Sequence, residues 1–168
     1  MSIYRRYVLN EAWDEDTNSH AYKSSVTALR KKLLTPSEVK KSLKNGASPI
    51  DSSIEKWSRI RSIVTEAKYI STLGALENFI GASTCALCID SAEKFKQQHG
   101  QLQDSSSKCT VCPLAQVQRC PDSSSVYSQI DQIVQNAKNA PQMYTEDPEV
   151  FNRLSEFISE LMRLLKSL

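Results

Sequence analysis

Three short segments decide the fold of this chain: Cys85-Ala-Leu-Cys88, Cys109-Thr-Val-Cys112-Pro113 and Cys120-Pro121. They hold all five cysteines, which fall within 36 consecutive residues of a sequence of 168. A Cys-x-x-Cys turn points two thiolates at one metal ion, and a second such turn completes a sulfur tetrahedron. The spacing therefore predicts a metal centre that staples the surrounding chain together.

Disulfide bonds explain these cysteines less well than metal binding does. Five thiols cannot pair completely, and the opening run Met1-Ser-Ile-Tyr-Arg-Arg-Tyr is not the apolar signal segment of a secreted protein. Nor does any uncharged apolar run approach the roughly 18 residues of a membrane-spanning helix. We expect a cytoplasmic protein with reduced thiols and no membrane partner.

The predicted metal is zinc, bound by Cys85, Cys88, Cys109 and either Cys112 or Cys120. Four thiolates fill the coordination shell of zinc and leave no open position, so the site would be structural. An iron–sulfur cluster is the alternative, because Cys-Pro steps occur at cluster ligands and proline follows both Cys112 and Cys120. His99 lies between the two Cys-x-x-Cys pairs, and we expect it to be an exposed histidine that binds no metal.

Outside the cysteine region the sequence predicts an all-α domain of about six helices, with the cysteine region as a metal-bound connector. Four glycines and six prolines argue against a turn-rich β-sandwich. Thr35-Pro-Ser-Glu38 and Ser52-Ser-Ile-Glu55 both match the capping box that opens a helix. We divide the chain into a basic helical arm, residues 1–50, and a metal-stapled helical domain, residues 51–168.

Apolar residues recur at steps of three and four in the later helices, as amphipathic helices require. One such helix is predicted from Val126 to Ala140, and the last from Glu149 to Leu168. The stripe of the last helix is too broad for a strict coiled-coil seam. We expect its outer edge to bind a protein partner or a second copy of the chain through Leu161, Leu164 and Leu168.

Positive charge is concentrated near the N-terminus, although the net charge of the chain is only +2. Between residues 21 and 45 there are seven basic residues and one acidic residue, Glu38. Such a segment can neutralise several phosphates of DNA or RNA, but aromatic side chains for base stacking are nearly absent, and a solvated surface fits equally. The candidate phosphate contacts are Arg30, Lys31, Lys32, Lys40, Lys41 and Lys44.

The run Trp57…Cys85-Ala-Leu-Cys88…Cys109-Thr-Val-Cys112-Pro-Leu114…Cys120 resembles a loose group of uncharacterised small cysteine-rich proteins of bacteria, archaea and their viruses. Those proteins share a Cys-x-Leu-Cys…Cys-x-x-Cys-Pro-Leu…Cys pattern behind a helix that carries tryptophan. The resemblance covers about residues 53–127. It implies a true five-cysteine motif and the setting of a virus or mobile element, and it implies no activity.

An enzyme is not expected. The chain has two histidines, no glycine-rich phosphate loop and no interpretable pair of catalytic acids. We expect a non-enzymatic zinc-binding interaction module, an accessory or inhibitory protein of a virus or mobile element. The alternatives are a zinc-stabilised nucleic-acid-binding regulator that uses residues 22–45, and an iron–sulfur protein.

Overall fold

A computed structural model describes residues 15–144 and 146–168, with side chains from His20 onward. The first 14 residues of the expected N-terminal arm lie outside this range. The described residues contain helices and no β-strand, which confirms the all-α prediction. The α-helices are α1 (Glu15–Arg30), α2 (Pro36–Lys44), α3 (Pro49–Glu66), α4 (Ile70–Ala75), α5 (Glu77–Ile80), α6 (Ala86–His99), α7 (Pro113–Val117), α8 (Val126–Asn139) and α9 (Val150–Lys166).

Helices α4, α5 and α7 are short, with six residues or fewer, so the helices outnumber the six or so that the sequence predicts. Three 3-10 turns join the others: Ala82–Thr84, Ser107–Val111 and Pro141–Tyr144. The cysteine region is therefore more than a connector, because it contains the 14-residue helix α6. The metal-bound character of that region stays a prediction.

Helix starts follow the local capping chemistry. The capping box at Thr35 is confirmed, since Glu38 donates its backbone N–H to the Thr35 hydroxyl and accepts the Thr35 N–H at 2.7 Å. The prediction of a capping box at Ser52 is wrong, because the helix has its N-cap at Ser48. Helix α3 starts one turn earlier, because Pro49 suits the first helical position and Ser48 accepts the Asp51 N–H at 3.2 Å.

One hydrophobic core joins the helices. Helix α9 packs on α3 and α8, and α4 packs between α1 and α8. Each large apolar side chain wholly buried in this way contributes about 1.5–3 kcal/mol. Leu29 and Leu33 belong to the same core, so the described part of the expected N-terminal arm packs against the rest of the chain. The most deeply buried large side chains are Ile60, Val64, Leu73, Leu76, Ile80, Leu87, Ile130, Val134, Leu154, Ile158, Leu161 and Leu165.

The last helix corrects the predicted interface. Leu161 is 2% exposed and Leu164 is 9% exposed, because the apolar stripe of α9 is covered by α3 and α8 of the same chain. Only Leu168, at 38% exposure, remains accessible at the end of the stripe. Leu161 and Leu164 are therefore core residues and offer no contact to a partner in this fold.

Candidate metal centre

The five cysteines lie on three consecutive segments of the chain. Cys85 is the N-cap of α6 and Cys88 lies in the first turn of that helix. Cys109 lies within the 3-10 turn Ser107–Val111, Cys112 is the N-cap of α7, and Cys120 lies between α7 and α8. The 3-10 turn and α3 both pack on α6, and α7 packs on that turn and on α9. The segments that carry the cysteines therefore lie close to one another, next to the hydrophobic core.

A hydrogen-bond network fixes the start of α6. The Cys85 sulfur accepts the Cys88 N–H at 3.4 Å, the position that a capping oxygen usually takes. Just before it, the buried Thr84 hydroxyl donates to the Phe79 carbonyl at 2.6 Å. Lys56 on α3 donates to the Thr84 hydroxyl at 3.1 Å and to the Thr84 carbonyl at 3.2 Å. These contacts fasten the first cysteine pair to α3.

An aspartate turn holds the segment that carries Cys109. One Asp104 carboxylate oxygen accepts the backbone N–H groups of Ser106 and Ser107, both at 2.8 Å, and the Ser106 hydroxyl at 2.7 Å. These hydrogen bonds keep the pKa of Asp104 below its usual value. The turn closes on the cysteine itself, because the Cys109 N–H donates to the Ser106 carbonyl at 2.8 Å.

A buried serine positions the loop of Cys120. Ser125 is fully buried, and its hydroxyl donates to the Cys120 carbonyl at 2.7 Å. The same hydroxyl accepts the Ser128 N–H at 2.9 Å, which caps α8. Ser125 therefore ties the backbone of Cys120 to the start of α8.

Four of the cysteines line one cavity of about 300 Å³: Cys85, Cys88, Cys109 and Cys120. Its remaining wall is largely apolar and is formed mainly by side chains of α3, α5, α6, α7, α8 and α9, with Ser105, Ser106 and Lys108 on a polar side. Cys112 does not line this cavity; it is 6% exposed and belongs to the hydrophobic core. The principal apolar wall residues are Trp57, Ile80, Leu87, Leu114, Leu161 and Leu165.

The thiols perturb one another's ionisation. The hydrogen bond from Cys88, reinforced by the Lys56 ammonium, lowers the pKa of Cys85 to about 6, and donating that bond raises the pKa of Cys88. Burial, followed by repulsion from Cys85, Cys112 and Cys109, raises the pKa of Cys120 to about 12. Burial lowers the pKa of Lys56 to about 8 although the thiolates oppose this shift. The positive charge of a bound metal ion would offset this repulsion between thiolates. Thiols that coordinate a metal are therefore deprotonated.

The donor set suits a sulfur-ligated metal centre, but its geometry is open. In the part of the chain that the structure describes, no three histidine, cysteine, aspartate or glutamate side chains converge closely enough to hold a metal ion. Four of the cysteines nevertheless line a common cavity, and two of them, Cys85 and Cys88, are joined by a hydrogen bond. His99 is away from this site, at the exposed end of α6, where its ring lies 4.3 Å from that of Phe95.

Several site residues escaped the sequence analysis. Lys56 gives no signal, because a lysine on an amphipathic helix is usually solvated. Tyr127 reads as an ordinary first-turn residue, yet its hydroxyl donates to the Ile80 carbonyl at 3.1 Å beside the cavity, and burial raises its pKa. Asp104 was detectable in principle, since Asp-Ser-Ser-Ser is typical of a turn in which aspartate binds the following N–H groups.

The six predicted phosphate contacts are all exposed. They lie at the end of α1, in the following turn and on α2. Lys32 forms an ion pair with Glu66 at 3.9 Å, whereas Lys40, Lys41 and Lys44 form none with the described residues. The structure thus leaves a basic surface on α2 whose charge is not neutralised by neighbouring side chains in the described ranges.

No protein-family model, no curated protein and no solved structure matches this chain significantly. Separately, none of the helices in the described ranges is both long and apolar enough to cross a lipid bilayer.

Proposed function

We propose that this chain is a non-enzymatic helical interaction module whose cysteines hold a structural metal centre. The observation that carries the proposal is the common cavity of Cys85, Cys88, Cys109 and Cys120. A metal bound there would join the start of α6, the 3-10 turn and the loop before α8. Because a structural metal binds the folded chain and not the unfolded one, its binding free energy stabilises the fold.

The donor set favours a structural role over a catalytic one. Four thiolates close the coordination shell, so no position remains for water or substrate. The surroundings also favour a structural role. Lys56 is engaged by two hydrogen bonds to Thr84, and the rest of the wall is mainly apolar, so the cavity offers few polar groups for binding or converting a substrate. The residues of this centre would therefore support a surface elsewhere on the molecule.

The experiment that tests this proposal is elemental analysis of protein purified without oxygen, followed by removal of the metal with a chelator. We expect stoichiometric metal, and a lower midpoint of thermal unfolding after its removal. Hydrogen exchange should accelerate in α6 before it does in α3 and α9, because α6 carries two of the ligands and the other helices form the core. Metal-free protein with five freely titratable thiols and an unchanged unfolding midpoint would contradict the proposal.

The interaction surface that we propose is the basic face of α2. Lys40, Lys41 and Lys44 are exposed and lack ion pairs with the described residues, so an acidic partner would gain charge contacts without breaking existing ones. An acidic protein surface is the first candidate. The second candidate is DNA or RNA, and the same unneutralised charges support it.

A mobility shift with random DNA and RNA at low and moderate salt separates the two partners. The test variant is Lys40→Gln/Lys41→Gln, and its matched control is Lys94→Gln/Lys96→Gln, whose lysines pair with Asp90 and Glu93 on α6. Binding that weakens steeply with salt, and falls in the test variant alone, supports a nucleic-acid partner. Absence of binding even at low salt removes that candidate and leaves the acidic protein partner.

A further inference from the structure

We propose that the four-cysteine cavity binds a [4Fe–4S] cluster through Cys85, Cys88, Cys109 and Cys120, while Cys112 is a core residue and not a ligand. This inference rests on the metal centre proposed above and names the group that occupies it. It also departs from the zinc ion that the cysteine spacing favours.

The size of the cavity is the first argument. In a zinc site all four sulfurs lie about 2.3 Å from one ion, so they contact each other and enclose no free space. Here the four cysteines and thirteen other residues border a space of about 300 Å³, which has room for more than one metal ion. A cubane cluster needs such a space, because it places four irons and four sulfides between the protein sulfurs.

The ligand set follows from burial. Sequence alone does not separate Cys112 from Cys120, because proline follows both. Cys120 lines the cavity and is partly exposed, whereas Cys112 is buried in the core beside it. Cys120 therefore completes the set of four.

Charge and polarity around the cavity suit the cluster. A [4Fe–4S] core of charge +2 with four thiolates carries a net charge of −2, which is costly in apolar surroundings unless cations compensate it. Lys108 lines the cavity, and the Lys56 ammonium lies near enough to Cys85 and Cys88 to interact with both. The opposite side of the wall is apolar, with Trp57 and Leu114, so part of a bound cluster would face apolar side chains.

Binding of a preformed cluster is a balanced ligand exchange. Four Fe–S bonds to small thiolates break and four Fe–S bonds to the cysteines form. The departing thiolates take up the cysteine protons, or a proton from water where a cysteine is already ionised, so no electron is transferred and no oxidant is needed. A synthetic [4Fe–4S] cluster with 2-mercaptoethanol ligands is therefore a suitable probe of the metal-free protein.

The experiment adds this probe to the full chain without oxygen and measures iron, sulfide and the electron paramagnetic resonance of the dithionite-reduced product. We expect four irons and four sulfides per chain and a spin-one-half signal on reduction. In matched variants, Cys120→Ala should lose most of the bound iron, and Cys112→Ala should retain the wild-type content. Circular dichroism of both metal-free variants checks that they remain folded, and the wild-type measurements do not depend on either variant.

Each other outcome overturns a defined part of the proposal. One zinc per chain with no uptake of the cluster refutes the [4Fe–4S] assignment and leaves the structural metal centre standing. Two irons per chain refute the cubane. Loss of iron in Cys112→Ala with retention in Cys120→Ala refutes the ligand set. No binding of zinc or cluster refutes the metal centre as well.

Discussion

Trp57 and Tyr127 meet edge to face, with their ring centroids 6.4 Å apart and their planes inclined at 84°. Both rings line the cavity of the four cysteines, one from α3 and the other from α8. Aromatic pairs of this geometry contribute about 0.5–1.5 kcal/mol beyond the burial of their surface. The pair therefore joins two core helices at the wall of the candidate metal centre, and it places a fluorescent side chain beside the cavity where we propose that a metal group binds.

Trp57 should report the identity of that group. The chain has two tryptophans, so the variant Trp13→Phe leaves Trp57 as the sole tryptophan emitter. An iron–sulfur cluster absorbs broadly and should quench Trp57 strongly by energy transfer, whereas zinc, a d¹⁰ ion, should not. The measurement is the emission of this variant when metal-free, zinc-treated and cluster-treated. Equal emission in all three forms, with iron demonstrably bound, would mean that the cluster lies away from Trp57.

The fold was predictable wherever local chemistry and apolar periodicity agree. The expected start of α8 at Val126 matches the structure, and its expected end at Ala140 is one residue beyond the observed Asn139. The capping box at Thr35 was also correct. At Ser52 the same four-residue pattern misled, because Ser48-Pro49 upstream offers both a cap and a proline at the first helical position.

The site was less predictable than the fold. Spacing identifies the cysteines as a group, but it does not show that Cys120 lines the cavity whereas Cys112 is buried in the core. Lys56 is distinguished only by tertiary contact with Thr84, 28 positions further along the chain. The burial of Leu161 and Leu164 depends likewise on the packing of α9 against α3, which periodicity does not specify.

Ser125→Ala should destabilise the fold by about 1–2 kcal/mol, since it removes a helix cap and leaves the Cys120 carbonyl without its hydrogen bond. It should also reduce the amount of metal that survives purification, because the loop of Cys120 loses its attachment to α8. The matched control is Ser48→Ala, which removes an exposed cap with a longer hydrogen bond of 3.2 Å. Urea unfolding and metal analysis of both variants check this. Equal metal retention in the two would contradict the role of Ser125 at the site.

Asp147→Asn should destabilise the protein at neutral pH by up to about 1 kcal/mol. Two Asp147 oxygens accept hydrogen bonds from Arg153, at 3.1 and 2.6 Å, just before and within the first turn of α9. This guanidinium lowers the pKa of Asp147 below the usual 3.8. A lowered pKa in the folded state stabilises the protein above the unfolded-state pKa, and the contribution disappears as pH falls through the folded value.

The difference in unfolding free energy between wild type and Asp147→Asn should therefore be constant from pH 7 to about pH 5 and shrink below about pH 4. Urea titrations at several pH values measure it. As a comparison, Glu160→Gln removes an ion pair with Arg163 whose side chains remain 42% and 66% exposed, so its effect should be smaller. A penalty for Asp147→Asn that grows towards low pH would show that Arg153 does not pair with this carboxylate.

Gly74→Ala should destabilise the fold by about 1–3 kcal/mol, although alanine favours helices more than glycine does. A Cβ atom at Gly74 would lie 2.9 Å from the Lys138 Cα atom and 3.1 Å from the Ala137 carbonyl carbon. Both neighbours are backbone atoms of α8, so α4 and α8 would have to move apart.

Gly81→Ala is the matched control, because its φ of −67° suits any residue and nothing lies within 4 Å of the added atom. We expect the control to stay within about 0.5 kcal/mol of wild type in urea unfolding. If Gly74→Ala were equally stable, α4 and α8 would not approach as closely as this packing requires.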